Sequence, residues 1–254
     1  MWYEDLRKEF TDPFDRKNNF YLRLESLGRY LFCRDFIQEK GIEEVADIGF
    51  ANGYGCEIMA EVAKKVYGTE TRGDLADEAK ANLEKRNIRN IHYYPKEDSI
   101  EDGPIKDKKF DLITILQTLV HLEQPEKALK NIYKSLNKGG YMIFTVPNSK
   151  YEPVLANGKS AYKSRLHSFN FDQAQKLVED AGFKILDKYG QALTVRLFNR
   201  EFEIIDKYDY SEKKVKNYLK HDKDAIEFYS RMLAYPVKGE CQKSNSIIFV
   251  CQKQ

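Results

Sequence analysis

Three glycines near the start of the chain have a spacing that suits a ligand-binding loop. They lie in the segment Asp47-Ile48-Gly49-Phe50-Ala51-Asn52-Gly53-Tyr54-Gly55, between a predicted strand and a predicted helix. Because glycine has no side chain, the backbone can turn tightly there and approach a ligand. A dinucleotide fingerprint needs the spacing Gly-x-Gly-x-x-Gly, which brings helix amides to a pyrophosphate. The observed spacing, Gly-x-x-x-Gly-x-Gly, therefore disfavours NAD.

Two acidic residues accompany this loop. Asp47 lies two residues before Gly49, at a strand end where its carboxylate can accept a hydrogen bond from an ammonium group, directly or through water. Glu70 follows Gly49 by about 20 residues, at the end of the next predicted strand, where an acid can accept from both hydroxyls of a ribose. A purely structural position is the alternative for each acid. The loop and the spaced acid together predict a site for a ribose-containing ligand.

The elements that must position these residues follow an alternating pattern. From Ile42 onward, short apolar runs alternate with helical patterns, which is typical of parallel βαβ units. We predict strands at 45–49, 65–70, 91–94, 110–116, 141–146, 183–189 and 246–251, and helices at 56–65, 76–85, 126–136 and about 171–181. The expected fold is α/β: a Rossmann-like, seven-stranded, mostly parallel sheet with helices on both faces.

Two segments lie outside this predicted core. We expect a helical N-terminal cap at 1–40, the core at 41–190, an inserted helical lid rich in aromatic residues at 191–243, and the last core strand at 244–254. Aromatic residues of the lid include Phe198, Phe202, Tyr208, Tyr210 and Tyr218. The alternative is that such residues only pack the added elements onto the core.

Composition excludes several classes of protein. The chain has 254 residues with Lys+Arg 42 and Asp+Glu 40, a net charge of +2, so no standing field favours nucleic acid as a partner. An acidic start and the lack of a run of about 18 apolar residues argue against secretion and a membrane span, which predicts a cytoplasmic protein. Four scattered cysteines, without a ligand spacing, predict reduced thiols and no metal site.

The loop and three later segments carry a family resemblance, over roughly residues 25 to 190. Val45-Ala-Asp-Ile-Gly-Phe-Ala-Asn-Gly-Tyr-Gly resembles V-L-D-I-G-C-G-x-G-Y-G, the first motif of the class I S-adenosylmethionine-dependent methyltransferases, with Phe50 and Ala51 at the Cys and Gly. Phe110-Asp-Leu-Ile looks like the family's fourth strand, and Leu136-Asn-Lys-Gly-Gly resembles its L-K-P-G-G turn. His121-Leu122 stands where many members have E-H-L-x-x-P.

The resemblance implies S-adenosylmethionine as the cofactor. It assigns Asp98 to the adenine amine and Gln117 to the floor beside the methionine part, and a turn cap is the alternative for Asp98. The implied cofactor-binding residues are Asp47, Gly49, Phe50, Ala51, Gly53, Gly55, Glu70, Asp98 and Gln117. Ala51 departs from the family pattern because it removes one glycine from the loop.

The implied reaction is in-line methylation of an oxygen or nitrogen on a small molecule or glycan. A sulfonium methyl is already activated, so the protein mainly has to align the acceptor and exclude water. A hydroxyl acceptor would also use a base, and we expect His121 first and His167 second. A capping or packing role is the alternative for both histidines.

Three other functions stay open from the sequence. Methylation of nucleic-acid bases is disfavoured because Leu116-Gln117-Thr118-Leu119 has neither the Asn or Asp with Pro-Pro nor the aromatic residue such enzymes use. A catalytically silent cofactor-binding module that regulates a partner is the main alternative, and an NAD-dependent oxidoreductase is the next. No motif identifies the acceptor, and no pattern indicates an oligomeric state.

Overall fold

The computed structural model describes residues 12–15, 18, 20–95, 98–105, 108–152, 162, 164–191, 223–239 and 241–254. Its helices are α1 (Phe20–Lys40), α2 (Tyr54–Ala60), α3 (Gly73–Arg86), α4 (Pro125–Ser135), α5 (Phe171–Asp180) and α6 (Lys223–Leu233). Its strands are β1 (Glu44–Ile48), β2 (Lys65–Thr69), β3 (Ile91–Tyr93), β4 (Phe110–Leu116), β5 (Leu136–Pro147), β6 (Phe183–Gln191), β7 (Val237–Lys238) and β8 (Ser246–Lys253). The five lid aromatics named above lie outside the described residues.

The described strands form one mixed sheet in the order β3-β2-β1-β4-β5-β8-β6-β7. The pairs from β3 to β5 are parallel, whereas β8 runs antiparallel to both of its neighbours. The prediction of seven strands was wrong, because β7 adds an eighth at the edge by pairing with Tyr189 and Gly190. Two residues are too short for an alternating pattern, so the sequence carried no signal for β7.

Helices cover both faces of this sheet. Side chains alternate along each strand, so Val45 and Leu112 enter one apolar cluster while Ala46 and Ile113 enter another. Helices α1, α2, α3 and α6 contribute to the first cluster, and α4 and α5 contribute to the second. Strand β4 is almost wholly buried, as its continuous apolar sequence predicts for a central strand.

Two element boundaries differ most from the prediction. Helix α2 ends at Ala60, about a turn earlier than predicted. Strand β5 begins at Leu136 instead of Tyr141, because Leu136 pairs with Phe110 across a shift in register and the Gly-Gly turn therefore lies within the strand. Both differences lie at element ends, where tertiary pairing decides more than local pattern.

Helix α6, in the described part of the predicted lid, packs against α1. Arg231 donates to both carboxylate oxygens of Asp35 on α1, at 2.7 and 3.0 Å, and Tyr235 donates to the same carboxylate at 2.8 Å. The side-chain amide of Gln191 donates to the carbonyl of Ala234 at 2.5 Å, which joins the end of β6 to the residue after α6. Residues 223–239 therefore pack against α1 and help to hold it in place.

Three further features concern the class of protein. Across the described helices, none has both the length and the apolar character to cross a membrane. All four cysteines are buried and form no disulfide with one another. Within the described ranges, no group of three or more His, Cys, Asp or Glu side chains is arranged to hold a metal ion.

Candidate active site

A cavity of about 580 Å³ lies where β1, β2, β4 and β5 end at the same edge of the sheet. This is the point where the chain order reverses between β1 and β4, and open α/β sheets bind ligands in the crevice there. The volume is within the range of about 300 to 1,000 Å³ that is common for small-molecule sites. The cavity runs from the glycine loop and Glu70 to a turn that carries His121.

The three glycines serve the packing around the loop. Gly49 lines the cavity at φ +77°, and a Cβ there would lie 2.4 Å from the hydroxyl oxygen of Thr118. A Cβ on Gly55 would lie 2.1 Å from the ring of Tyr30, which crosses over α2. Gly53, at φ +86°, precedes α2 and lies against Tyr93. Only Gly49 of the three lines the cavity.

Two residues other than glycine hold a left-handed backbone on the cavity wall. Ala51 has φ +55° and Gln117 has φ +60°. The amide of Gln117 donates to the carbonyl and to the hydroxyl of Thr145, at 3.0 and 2.9 Å, which fixes the turn after β4. This conformation costs an L-residue about 1 to 2 kcal/mol. Such strain is typical of ligand-binding and catalytic sites.

Glu70 is held by two backbone amides. Its two carboxylate oxygens accept from the amides of Ala51 and Arg72, each at 2.9 Å. A carboxylate has about four acceptor positions, so further donors can be met from the cavity side. Glu70 lines the cavity, and its carboxylate therefore fits the two neighbouring hydroxyls of a ribose.

Asp47 lies behind the cavity wall. It is fully buried and accepts from the hydroxyls of Thr114 at 2.7 Å and Tyr30 at 2.9 Å, and from the thiol of Cys56 at 3.7 Å. Burial raises the pKa of its carboxyl to about 6, although these hydrogen bonds act in the opposite direction. Tyr30, which lines the cavity, separates Asp47 from a ligand. The sequence analysis predicted that Asp47 lies beside the glycine loop, as it does. It did not predict that Tyr30 lies between Asp47 and the cavity.

Two other predicted residues also lie off the wall. Phe50 is buried, and its ring stacks on Tyr93 with centroids 4.1 Å apart. Asp98 is half-buried, and at this point the wall is formed by its neighbours Ser99 and Ile100. Of the nine predicted cofactor residues, four line the cavity: Gly49, Ala51, Glu70 and Gln117.

The structure separates the two predicted histidines. His121 lines the cavity, and its Nδ1 lies 3.1 Å from the carbonyl oxygen of Ser164 and 3.0 Å from its hydroxyl. His167 is not among the wall residues, and its ring stacks on Phe169. Only His121 is therefore in a position to meet an acceptor.

One face of α1 forms a wall that the sequence analysis missed. The residues on this face are Leu22, Glu25, Ser26, Arg29 and Tyr30. They recur at three- and four-residue intervals, so they share one side of the helix. Arg29 donates to the amide oxygen of Gln191 at 2.9 Å and to the hydroxyl of Ser26 at 3.3 Å. Burial raises the pKa of the Glu25 carboxyl, and Arg29 acts against that rise. The helical spacing of polar residues was the available signal.

The opposite wall comes from segments without a sequence motif. Tyr151, Glu152, Tyr162, Ser164 and Arg165 contribute to it. The guanidinium carbon of Arg165 lies 3.7 Å from the centroid of the Tyr162 ring, and Arg165 forms an ion pair with Glu152. The charges of this wall are therefore matched within the protein.

Comparisons with known proteins agree with this arrangement. Residues 46–144 match the family model described as a methyltransferase domain. The ubiquinone biosynthesis O-methyltransferase of Coxiella burnetii (strain Dugway 5J108-111) is 25% identical over 201 residues, which cover 74% of this chain and 82% of that protein.

Solved structures share the fold. An S-adenosylmethionine-dependent methyltransferase from Clostridium acetobutylicum superimposes with a TM-score of 0.58 at 13% identity, covering 90% of this chain and 91% of that one. The [4+2]-cyclase SpnF gives a TM-score of 0.57 at 16% identity, covering 87% and 80%. The cyclase shows that this fold alone does not define a reaction. The family match, the curated relative and the shared fold together show that the chain contains an S-adenosylmethionine-dependent methyltransferase domain, matched over residues 46–144.

Proposed function

We propose that this protein methylates a hydroxyl group on a small, uncharged, ring-containing acceptor, with His121 as the base. The observation that carries the proposal is the continuity of the cavity, which joins the glycine loop and Glu70 to His121 without an intervening wall. A ligand held at the loop and an acceptor held at the histidine would then share one cavity. That arrangement is what an in-line transfer requires.

Residues of three elements would hold the cofactor. Glu70 would accept from its ribose hydroxyls, and Gly49 and Ala51 would give it backbone contact. Arg29 lines the cavity and donates to the neutral groups of Gln191 and Ser26, and its guanidinium, which also interacts with the Glu25 carboxyl, could bind the cofactor's carboxylate. Asp47 would act through Tyr30, whose hydroxyl it accepts from.

The protein's own contribution to the reaction is placement and a proton acceptor. When bound, S-adenosylmethionine supplies a methyl group on a cationic sulfur, which becomes a neutral thioether after transfer. The walls would exclude water and align the acceptor oxygen. His121 would take the hydroxyl proton as that oxygen becomes more nucleophilic.

The lining of the acceptor side supports the class of acceptor. Tyr151 and Tyr162 contribute aromatic rings to that wall, with the Arg165 guanidinium over one face of Tyr162, and the Arg165–Glu152 pair leaves no net charge there. Rings pack well against such surfaces. A small phenol fits this lining, and so does a sugar ring. A hydroxyl is favoured over an amine because the Coxiella burnetii relative is named an O-methyltransferase.

The first test is binding of the cofactor and its product, S-adenosylhomocysteine, measured by calorimetry on the full chain. We expect micromolar binding that weakens about tenfold to a hundredfold in Glu70→Gln, because a hydrogen bond to a charged group contributes about 1.5 to 3 kcal/mol. Glu84→Gln, an exposed acid on α3, is the matched control. Binding of NAD in place of both sulfur ligands would contradict the proposal.

The second test is turnover with phenols and sugars as acceptors, followed by mass spectrometry. His121→Ala should lower kcat by at least tenfold and leave the affinity for S-adenosylhomocysteine unchanged. Unchanged turnover would remove His121 from the mechanism. Cofactor binding without methyl transfer to any acceptor would favour a silent binding module instead.

A further inference from the structure

Two oxygen atoms of Ser164 contact one ring nitrogen of His121. Its carbonyl oxygen lies 3.1 Å from Nδ1 and its hydroxyl oxygen lies 3.0 Å from Nδ1. A carbonyl oxygen can only accept a hydrogen bond, so its contact is favourable when Nδ1 carries the hydrogen, whereas the hydroxyl can either accept from Nδ1 or donate to it. In a neutral imidazole the other nitrogen, Nε2, then has the lone pair.

We propose that Ser164 is a positioning residue that holds His121 in the Nδ1–H tautomer and so makes Nε2 the proton acceptor. The inference rests on the proposed function, since it assigns the nitrogen through which that function would work. As the acceptor hydroxyl loses its proton to Nε2, the ring becomes a cation that carries a hydrogen on both nitrogens. The two oxygens of Ser164 then stabilise the cation, because hydrogen bonds from charged donors are stronger than those from neutral ones.

The contact is built into the fold by backbone bonds around it. The amides of Leu166 and His167 both donate to the carbonyl of Val120, at 2.9 and 3.2 Å, which ties the segment after Ser164 to the turn that carries His121. The amide of Ser149 donates to the carbonyl of Phe169 at 2.9 Å, which ties the same segment to the end of β5. The segment that follows Ser164 is therefore held at two points, the turn before His121 and the end of β5.

The same backbone bonds indicate a structural role for His167, in which its side chain does not contact the acceptor. Its backbone amide supports the turn before His121, while its ring stacks on Phe169. Substitution of the His167 side chain should therefore leave the tautomer of His121 unchanged.

The test is nitrogen NMR of the histidine rings in the full chain labelled with ¹⁵N-histidine. His121→Gln identifies the signals of His121. We expect a pyrrole-type Nδ1 and a pyridine-type Nε2 in the neutral ring. Ser164→Ala removes one of the two acceptors and should lower the ratio of the Nδ1–H to the Nε2–H form roughly threefold to tenfold, the value of one hydrogen bond.

Ser168→Ala is the matched control, because Ser168 is an exposed serine of the same segment whose hydroxyl faces Glu152. It should leave the tautomer ratio unchanged. An Nε2–H ring in the native chain, or an unchanged ratio in Ser164→Ala, would overturn the proposal.

Turnover separates this inference from the proposed function. With an accepted substrate, Ser164→Ala should lower kcat roughly threefold to tenfold with little change in KM, because the effect is on the proton acceptor. A lower kcat with an unchanged tautomer ratio would overturn the role of Ser164. The NMR result needs no acceptor, so a held tautomer without methyl transfer would refute the proposed function and leave the hydrogen-bond assignment intact.

Discussion

Replacement of Asp47 by asparagine should stabilise the folded protein at neutral pH. Burial raises the pKa of this carboxyl from 3.8 to about 6, so the folded state is less tolerant of its charge than the unfolded chain is. At 1.36 kcal/mol for each pH unit, the charged form costs the folded state about 3 kcal/mol. Asparagine has nearly the same shape without the charge, and the oxygen of Tyr30 can accept from its amide.

The pH dependence gives this prediction its sign. Between pH 4 and pH 6 the folded chain holds a proton on Asp47 that the unfolded chain has lost, so this group lowers stability as pH rises through that window. The difference in free energy of unfolding between Asp47→Asn and the native chain should therefore be small at pH 4. It should grow to about 1 to 3 kcal/mol in favour of the variant by pH 7, since imperfect hydrogen bonding of the amide reduces the full value.

The assay is urea denaturation of both proteins at a series of pH values, compared at equal slope. Asp77→Asn, an exposed position on α3, is the control, and it should change stability by less than about 0.5 kcal/mol throughout. A variant less stable than the native chain at pH 7, or a difference that does not vary between pH 4 and pH 7, would refute the reasoning. The first result would mean that the hydrogen bonds of Asp47 outweigh its burial, and the second that the two effects on its pKa balance.

Two further predictions concern the loop. Ala51→Gly should raise the free energy of unfolding by about 0.5 to 1 kcal/mol, because relief of a left-handed alanine exceeds the added freedom of glycine in the unfolded chain; thermal unfolding measures it, and a destabilised variant would contradict it. Gly49→Ala should lower stability by more than about 1 kcal/mol and weaken binding of S-adenosylhomocysteine, because its Cβ would meet Thr118. Thr118→Ala in the same chain should recover part of the stability but not the part due to φ, and full recovery would show that the backbone there is unstrained.

Local patterns predicted the sheet and the loop because both depend on near neighbours in sequence. The continuous apolar run of β4 and the turn at Gly49 can be predicted from the local sequence, without knowledge of the residues that they contact. The place of Asp47 depends on Tyr30, which reaches it from α1, and no local pattern reports such a contact. Asp98 does not line the cavity, because β3 is short and tertiary packing places the residues after it; its contact with the adenine amine stays a prediction.

The walls of the acceptor side were the least predictable part. Ser164 and Arg165 lie in a segment without regular structure, and their role follows from contacts with His121 and Glu152. The spacing of the polar residues on α1 indicates that they share one face of the helix. That face lines a cavity and not the core, so no apolar pattern predicts it. Cytoplasmic location and the inserted lid at 191–243 stay predictions.

The chain leaves the sheet at Gln191, the last residue of β6, and approaches it again after Ala234. The hydrogen bond between these two residues brings the two points together. A stretch whose two ends are joined in this way can change in length at little cost, since doubling a loop adds only about 0.6 kcal/mol of closure entropy. The same glutamine accepts from Arg29, so this point also holds a residue of the cavity wall in place. Changes of length between Gln191 and Ala234 should therefore leave the sheet, the glycine loop and Arg29 in place, which is one way for a chain to vary without loss of its cofactor site.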